Sequence, residues 1–525
     1  MTSGAPKDVD ALVVGMGFGG LGAALRLAER GANVAVFERL MYPGGCACTF
    51  EHEGDQFEGG ATLFSGFDEG QLFRRMIDDH QMGVAFERLD PPLELRTSGS
   101  TVLARRDRAQ LLAQFEAMDG APVRGLRRFF KLQEKVASVL WPLLDDASLL
   151  PPLTPSRVLK HAVRLPRYLP LATLTGRPLW RVLERYGLTE FTPLVSWLDS
   201  QCQITVQCGV REAEAPFALA ALDYHHRGAV HVKGGIGELA WGIARAVEAC
   251  GGTVRFGAPA RDVRREGDRW TLRAGGETYR APHVVFNCLP QDAARIAGVQ
   301  HRSLDKLSER VRDGWSAGML FRTVRPPRAA GPEPRHIEAV MDEAAPFLEG
   351  NHVFLSIGAE GEGTLHPGLR RVTASTHMDL ARLRGASPRD QKAYVDMVHR
   401  AMRETIASRV PEWDQVVREF TGSPRTFAKW TGRAEGLVGG IPRRAGLRQY
   451  AALFPSRLPR GFHLVGDSIF PGQSTLAAAA GGARVAEDIL AGLGMDQGSI
   501  KARQRSDKAA KGQAAVSEES RSPAA

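Results

Sequence analysis

A strand, a glycine-rich turn, a helix and a second strand follow one another near the start of the chain, in the run ALVVGMGFGGLGAALRLAERGANVAVFE (residues 11–38). Gly15 allows a tight turn after the first strand, Gly17 lets the backbone approach a ligand, and Gly20 lets the helix pack closely on the strand. The second strand ends on Glu38, about 20 residues after the glycines, where an acid binds ribose hydroxyls. Because the whole βαβ unit is present, it predicts dinucleotide binding, with the pyrophosphate at the helix N-terminus.

Composition places the chain among ordinary globular proteins. With 525 residues, 43% hydrophobic and 24% charged, it is expected to fold into two or more lobes. It contains no run of 18 apolar residues and no apolar segment at its N-terminus, so neither a membrane-spanning helix nor a secretory signal is expected. Its six cysteines lack the spacing of a zinc site, which predicts reduced thiols, a cytoplasmic location and no metal.

Positive charge is concentrated in residues 151–185. The net charge is +9, but no nucleic-acid-binding motif accompanies it, so no nucleic-acid partner is expected. In this stretch, basic residues alternate with leucines, a tryptophan and a tyrosine, and Glu184 is the one acid. The basic residues are Arg157, Lys160, Arg164, Arg167, Arg177, Arg181 and Arg185. Two interpretations remain open: a peripheral contact with an anionic membrane surface, or a solvated basic face of a helical lobe.

The strand and helix patterns predict two interleaved lobes. We expect a discontinuous cofactor-binding lobe of residues 8–67, 228–291 and 441–492. The second, substrate-binding lobe would comprise residues 68–227, mostly helical, and 292–440, with its own sheet. Residues 496–525 are poor in apolar side chains and are predicted to be a disordered tail.

A second motif lies near the C-terminus, in the run GFHLVGDSIFPGQSTLAAAAGGARVAEDIL (residues 461–490). A strand delivers Gly466 and Asp467 into a turn, and a helix begins near Ser474. Asp467 can accept hydrogen bonds from the hydroxyls of a cofactor, and the helix N-terminus can stabilise negative charge. The alternative is an ordinary strand–turn–helix in which Asp467 acts like an N-cap.

Taken together, these motifs resemble a known family. The glycine turn, Glu38 followed by the Gly44–Gly45 pair, and the LVGDSIFPGQ run are similar to FAD-dependent enzymes of the phytoene desaturase and carotenoid isomerase family, within the amine-oxidase-like flavoprotein superfamily. Residues 43–66 and 422–442 resemble the prolycopene-isomerase and later-step desaturase branch more than they resemble amine oxidases. The resemblance covers residues 9–490, more loosely in the middle. It implies an α/β fold, with a discontinuous Rossmann-type FAD-binding lobe and a mixed α+β substrate-binding lobe.

The resemblance also implies roles for individual residues, and FAD as the cofactor. The expected sites are Gly15, Gly17 and Gly20 at the pyrophosphate, Glu38 at the adenosine ribose, Gly44 and Gly45 close to the cofactor, Val263 at the adenine through its backbone, Gly466 and Asp467 at the ribityl and phosphate end, and Pro471, Gly472 and Gln473 beside the isoalloxazine. One departure stands out, because many relatives have Arg or Lys directly after the glycine pair, where this chain has Cys46. Cys46 and Cys48 are interpreted as small side chains packed beside the cofactor; a redox pair or a flavin thioether is the alternative.

The activity that the resemblance implies is desaturation of a carotenoid, a lipophilic polyene. A hydride would pass from an allylic carbon to the flavin, and the electrons would pass on to a quinone or oxygen. The alternatives are a redox-neutral cis–trans isomerase with reduced FAD, a retinol-saturase-like enzyme, an amine oxidase, and a non-enzymatic prenyl-escort protein. The substrate site is expected to be a long apolar tunnel. The enzyme is expected to associate with a membrane surface and to collect its substrate there.

No catalytic residue is predicted for this chemistry. A base is needed after hydride loss, and the sequence does not identify it. His225, His226 and His231 lie before the second α/β section, and each has a structural interpretation as well.

Overall fold

The structure is a computed structural model that describes residues 5–60, 62–454 and 457–495. The predicted tail, residues 496–525, lies outside these ranges. The strands in chain order are β1 Lys7–Asp8, β2 Ala11–Val14, β3 Val34–Phe37, β4 Thr49–His52, β5 Asp55–Glu58, β6 Phe86–Arg88, β7 Glu94–Arg96, β8 Thr101–Leu103, β9 Val230–Val232, β10 Thr253–Arg255, β11 Arg261–Glu266, β12 Arg269–Ala274, β13 Glu277–Ala281, β14 His283–Phe286, β15 Trp315–Val324, β16 Arg335–Val340, β17 His352–Ile357, β18 Arg370–Asp379, β19 Val416–Gly422 and β20 Phe462–Leu464.

Helices lie between these strands along the chain, singly or in longer runs such as α3 to α9. The α-helices are α1 Phe18–Glu29, α2 Leu72–Asp79, α3 Arg108–Glu116, α4 Val123–Asp145, α5 Pro155–Ala162, α6 Leu165–Ala172, α7 Trp180–Tyr186, α8 Thr192–Thr205, α9 Ala215–Ala221, α10 Gly237–Ala249, α11 Pro290–Ala297, α12 Arg302–Arg312, α13 Pro388–Arg409, α14 Pro424–Thr431 and α15 Thr475–Gly492. Short 3-10 helices cover Ala147–Leu149, Leu380–Arg382, Pro411–Trp413, Ala434–Gly436 and Leu447–Leu453. None of the helices in the described ranges is both long and apolar enough to cross a membrane.

A five-stranded parallel sheet forms the centre of the cofactor-binding lobe, in the order β10-β3-β2-β14-β20. Every residue of β2 and β3 is buried. One face of the sheet packs against α1, α10 and α15, and the other packs against the sheet β1-β13-β12-β11. A parallel sheet covered on both faces explains why its strands are almost wholly apolar.

All five strands of this sheet come from the three segments that the sequence assigns to the cofactor lobe, although the domain boundaries themselves stay a prediction. Helix α15, from the C-terminal motif, lies directly on α1 of the N-terminal motif. A Cβ atom at Gly22 would lie 2.4 Å from the carbonyl oxygen of Ala479, and one at Gly482 would lie 2.0 Å from that of Gly19. The two helices therefore meet backbone to backbone, and the predicted α/β fold with a discontinuous cofactor lobe is confirmed.

The second lobe contains a seven-stranded mixed sheet, in the order β19-β15-β18-β17-β16-β7-β8. One face packs against α13, through apolar side chains such as Leu355 and Met402. Strands β7 and β8 come from residues expected to be mostly helical, and they join this sheet because β7 pairs in parallel with β16. Strands of three residues are too short to show a periodic pattern, so their sequence did not reveal them.

Candidate functional site

The glycine turn lies at the carboxyl end of β2, at the centre of the parallel sheet. Gly15 has φ +97°, a left-handed conformation that favours glycine, and its N–H donates to the carbonyl of Phe37 at 2.8 Å. Gly17 precedes α1 as its N-cap residue. A Cβ atom at Gly20 would lie 2.1 Å from the carbonyl oxygen of Gly15. The turn is therefore pressed against the first turn of the helix, as a dinucleotide-binding turn requires.

Glu38 follows β3 at the same edge of the sheet, and 7% of its surface is exposed. The backbone N–H of Met16 donates to its Oε2 at 2.9 Å, and that of Leu40 donates to its Oε1 at 2.9 Å. Burial raises the pKa of the Glu38 carboxyl, and these backbone hydrogen bonds oppose the rise. Both hydrogen bonds come from the main chain and hold the carboxylate at the glycine turn. Among the residues that the structure describes, Glu38 forms no salt bridge.

The second glycine pair crosses over the first motif. The N–H of Gly44 donates to the carbonyl of Met16 at 2.8 Å, and a Cβ atom at Gly45 would lie 3.4 Å from the Cα of Gly17. The structure thus brings Gly44 and Gly45 against the glycine turn, as expected for a segment that passes close to a cofactor.

Asn287 joins the N-terminal motif to the C-terminal one, and it was missed in the sequence. Cβ atoms at Gly17, Gly19 and Gly466 would lie 2.5, 2.7 and 2.9 Å from its side-chain amide. Gly466 has φ +106°, and its backbone N would lie 2.6 Å from a Cβ atom at Gly19. The available signal was a polar residue directly after β14, at the carboxyl edge where ligands of parallel sheets bind.

A half-buried arginine from the substrate lobe, Arg433, reaches Asp467. The Nη2 of Arg433 lies 2.8 Å from Oδ2 of Asp467, and Ser468 donates to Oδ1 at 3.2 Å. Burial would lower the pKa of Arg433, but the charge of Asp467, the hydrogen bond to Asp467 and further negative charge nearby, including Asp292, together outweigh burial and raise that pKa. Burial raises the pKa of the Cys46 thiol, which the positive charge of Arg433 opposes. Arg433 therefore supplies, close to Cys46, the positive charge that position 46 lacks. It lies within residues 422–442, a stretch that carries the family resemblance but for which no residue role was predicted.

The cysteines after the glycine pair are free thiols. Burial raises the pKa of both Cys46 and Cys48 well above neutrality, so both remain protonated. Protonated buried thiols favour the interpretation of these residues as small packing side chains.

Pro471, Gly472 and Gln473 lie where the cofactor lobe meets the helices of the other lobe. Arg443 donates from Nη2 to the carbonyl of Pro471 at 3.1 Å, and a Cβ atom at Gly472 would lie 2.2 Å from that nitrogen. Burial lowers the pKa of Arg443 to about 10, with a contribution from the charge of Arg310. Gln473 donates from Nε2 to the carbonyl of Ile204 in α8 at 2.6 Å.

Val263 lies apart from this cluster. It is buried on β11, among apolar residues that include Phe37 and Ala258. A bulge interrupts the pairing of β11 with β12 beside it, and Asp262 has φ +51°. The contact of its backbone with the adenine stays a prediction.

The three histidines take separate places. His231 pairs with Glu362 at 2.9 Å, and His226 contacts the carbonyl of Arg106 at 2.9 Å through Nδ1. His225 is buried and contacts Gln201 at 2.7 Å. His231 and His226 thus have structural partners, while His225 belongs to a buried polar group between α8 and the seven-stranded sheet.

The geometry fits a dinucleotide cofactor. Glycines fill the positions where a Cβ atom would clash, at Gly17, Gly20 and Gly466. The buried carboxylate of Glu38 lies at the second strand, and Asp467 lies beside the third glycine segment. These are the groups that a pyrophosphate, a ribose and a ribityl chain need.

Comparison with known proteins agrees with this geometry. The flavin containing amine oxidoreductase family matches residues 18–311. Prolycopene isomerase from Daucus carota is 24% identical, over 94% of this chain and 82% of that protein. Hydroxyneurosporene desaturase from Cereibacter sphaeroides is 26% identical, over 93% of this chain and 98% of that protein. Wild-type putrescine oxidase bound to putrescine is similar in structure, with a TM-score of 0.61 and 18% identity, over 93% of this chain and 100% of that one.

The structural similarity shows a shared fold, and the family match covers more than half of the chain. The cofactor is FAD, and the protein is an oxidoreductase. The chain therefore belongs to the flavin-containing amine oxidoreductase family.

Proposed function

We propose that this enzyme introduces double bonds into a carotenoid, or a similar polyisoprenoid, by hydride transfer to the flavin. Bound FAD would accept the hydride, the neighbouring carbon would lose a proton to a base, and a quinone or oxygen would reoxidise the flavin. The redox-neutral alternative is cis–trans isomerisation of the same class of substrate with reduced FAD. The two relatives named above, a desaturase and an isomerase, support one activity each over nearly the full length of this chain.

An apolar aromatic cluster beside the cofactor segment is the observation that carries this proposal. Phe321 and Phe420 stack with ring centroids 4.8 Å apart, and Phe57 lies 5.1 Å from Phe420. Phe50 and the half-buried Cys46, directly after the Gly44–Gly45 pair, pack against the same cluster. These side chains form an apolar cluster of the kind that can line the path of a hydrocarbon chain.

In this proposal the predicted site residues keep their roles. Gly15, Gly17 and Gly20 would hold the pyrophosphate, Glu38 the adenosine ribose, and Val263 the adenine through its backbone. Gly44 and Gly45 would let the chain pass close to the cofactor. Gly466 and Asp467 would hold the ribityl and phosphate end, and Pro471, Gly472 and Gln473 would lie beside the isoalloxazine. The glycines let the backbone approach, and the two acids accept hydrogen bonds from hydroxyls.

Expression in a carotenoid-producing bacterium separates the two activities. A pigment that has lost two hydrogens identifies a desaturase, and a pigment of unchanged mass with a shifted absorption spectrum identifies an isomerase. Purified FAD-loaded protein with the same pigment, under air or with a quinone in the absence of oxygen, then identifies the electron acceptor. A protein that is colourless and cannot be reconstituted with FAD would overturn the proposal.

We also propose that the enzyme collects its substrate at a membrane surface, through a membrane patch formed by Val158, Leu159, Val163, Leu165, Leu169, Leu447 and Phe454. These side chains are between 51% and 80% exposed. The N–H of Leu153 donates to the carbonyl of Leu453 at 2.7 Å, and a Cβ atom at Gly176 would lie 3.3 Å from Leu447. These contacts bring the segment of Leu447 and Phe454 beside α5 and α6.

Basic side chains accompany this membrane patch. Lys160 and Arg167 are exposed beside it, whereas Arg157 is buried and pairs with Asp488 at 2.7 Å. Some of the basic residues in residues 151–185 therefore cannot contact a membrane surface. Exposed apolar side chains flanked by cations suit the headgroup region of an anionic bilayer. Flotation with anionic liposomes tests this proposal.

A further inference from the structure

The inner face of the seven-stranded sheet carries polar side chains deep inside the protein. Strands β16 and β17 alternate, and their apolar side chains, Ile337, Ala339, Val353 and Leu355, pack toward α13. The opposite face carries His336, Glu338 and His352, which are 4%, 0% and 2% exposed.

Strand register brings these three side chains to one face. Glu338 pairs with Phe354, His336 pairs with Ser356, and Val340 pairs with His352. Because side chains of paired residues share a face, His336, Glu338 and His352 lie on the same side of adjacent strands.

Two residues outside the sheet complete the group. Gln201 of α8 donates from Nε2 to Oε2 of Glu338 at 2.9 Å, and the Nε2 of His225 lies 2.7 Å from Oε1 of Gln201. The Nε2 of His352 lies 3.8 Å from Oε2 of Glu338, beyond a hydrogen bond. We call these five residues, Gln201, His225, His336, Glu338 and His352, the polar pocket.

Several polar atoms of the polar pocket have no hydrogen-bond partner within the described part of the chain. They are Oε1 of Glu338, Nε2 of His352, Nδ1 of His225, and both ring nitrogens of His336. Buried polar groups in native proteins are normally paired, and an unpaired one is costly. The side chains thus offer hydrogen bonds that the protein itself does not use.

The polar pocket offers both hydrogen-bond donors and hydrogen-bond acceptors. Gln201 donates to Glu338, so its oxygen accepts from Nε2 of His225 and leaves Nδ1 of His225 as an acceptor. Burial lowers the pKa of both His225 and His336 to about 3, with contributions from His226 and His231, so both are neutral at pH 7. Neutral His336 then supplies one donor and one acceptor, and Glu338 supplies an acceptor.

Aromatic rings surround these polar atoms. Trp197 lies 5.7 Å from His225, Phe354 lies 5.8 Å from His336, and Phe347 lies 5.6 Å from His352, between ring centroids. Helix α8 also connects the polar pocket to the predicted isoalloxazine end. Gln201 is three residues, about one helical turn, before Ile204, whose carbonyl accepts from Gln473.

We infer that the polar pocket binds the hydroxyl group of an otherwise apolar polyisoprenoid, so that the substrate is a hydroxylated polyene. This inference rests on the proposed function. A hydroxyl can donate to Glu338 and accept from His336 at the same time. A pure hydrocarbon would leave these atoms unpaired, an ammonium group could accept nothing from His336, and an anion would face the carboxylate of Glu338.

Binding to the FAD-loaded protein tests this inference without turnover. Three probes with the same C20 chain are compared by tryptophan fluorescence: geranylgeraniol, the hydrocarbon without the hydroxyl, and geranylgeranylamine. The wild-type protein is expected to bind the alcohol at least about tenfold more tightly than the hydrocarbon, the ratio that one net hydrogen bond provides. His336→Phe is expected to abolish this preference and to keep the affinity for the hydrocarbon.

Two further variants keep the outcome interpretable. Glu338→Gln keeps the size of the side chain and is expected to reduce the preference for the alcohol. It serves as the test variant if His336→Phe does not fold. His366→Phe, on the loop between β17 and β18, is the matched control and is expected to keep the preference. Flavin absorbance reports whether each variant holds FAD.

The outcomes separate the two proposals. Equal binding of alcohol and hydrocarbon to the wild-type protein would overturn the polar-pocket inference, while carotenoid conversion would still support the proposed function. Tighter binding of the amine would overturn it in favour of an amine ligand. If the FAD-loaded protein bound none of the C20 probes and converted no carotenoid, the proposed function would itself fail.

Discussion

The guanidinium of Arg433 lies 2.8 Å from the carboxylate of Asp467, and this ion pair joins the substrate lobe to the C-terminal cofactor motif. Only 13% of the Arg433 side chain and 24% of the Asp467 side chain are exposed. The pair lies near Cys46, at the position where the family resemblance leads one to expect a basic residue. Arg433, from the substrate lobe, thus provides a positive charge that the segment after Gly44 and Gly45 does not carry.

Replacing this arginine should weaken the site. Arg433→Gln leaves Asp467 without its ionic partner, so we expect the free energy of unfolding to fall by about 1–3 kcal/mol and the affinity for FAD to fall about tenfold or more. Urea unfolding of the FAD-free protein and FAD titration measure the two effects. Arg433→Lys keeps the charge and should recover part of each, whereas an unchanged FAD affinity in Arg433→Gln would show that the charge does not serve the cofactor.

The third glycine of the N-terminal turn should tolerate no side chain. In Gly20→Ala, the added Cβ would lie 2.1 Å from the carbonyl of Gly15, so the turn must shift away from the helix. We expect FAD affinity to fall at least about tenfold, seen as a lower ratio of flavin to protein absorbance. Gly492→Ala, at the end of α15 with no atom within 4 Å of the added Cβ, should bind FAD like the wild type.

Acid should weaken the protein through Glu362. This carboxylate lies 2.9 Å from His231 and 3.1 Å from Arg371. Burial would raise its pKa, but the hydrogen bond with His231 and the charge of Arg371 lower it to about 2. Because the folded pKa is lowered, the stabilisation is present above the unfolded pKa of about 4.5, and is lost as the pH falls through about 2.

Glu362→Gln checks this pH dependence. At pH 7 we expect the variant to be less stable than the wild type by about 3 kcal/mol, the linkage value of a shift of this size. The difference should fall to about half near pH 3, and vanish below pH 2. Urea unfolding at three pH values measures it, and a difference that did not change with pH would contradict the assignment.

Membrane binding should depend on the apolar side chains of the membrane patch. The triple change Val163→Ser, Leu165→Ser and Leu169→Ser removes three side chains that could enter the bilayer, and should reduce the fraction that floats with anionic liposomes at least about tenfold. Leu365→Ser is the matched control, since Leu365 is 69% exposed beside Gly54. Wild-type protein that floats with neither anionic nor neutral liposomes would rule out the membrane proposal.

Local sequence patterns were sufficient for the parts of the site that follow a strand and a glycine turn. Strands Ala11–Val14 and Val34–Phe37 lie before and after the glycine turn and its helix, in the order the run of residues 11–38 predicts, because short continuous apolar runs in this setting leave little choice of structure. Gly44 and Gly45 lie against Gly17, and Gly466 lies against Gly19. At these positions the backbone must come close to other atoms, and the spacing of the glycines predicts such close approach directly.

The side chains that cross between lobes could not be predicted in the same way. Arg433 lies in a loop after α14, and nothing local indicates that its guanidinium reaches Asp467. On β16, the alternation of His336 and Glu338 with Ile337 and Ala339 is typical of a strand with one face in water. Which face is turned to solvent depends on α8 and α13, and their placement is a property of the whole chain.

The backbone contact between α1 and α15 has a consequence for synthesis. The helix that follows the glycine turn is covered by a segment translated more than 400 residues later, and the edge strand β20 arrives with it. A nascent chain therefore carries its complete glycine motif through most of translation without a finished place to hold the cofactor. Contacts of such long sequence separation form late. The cofactor can therefore bind only after α15 has been synthesised. A chain that ends before residue 475 should bind no flavin and remain colourless.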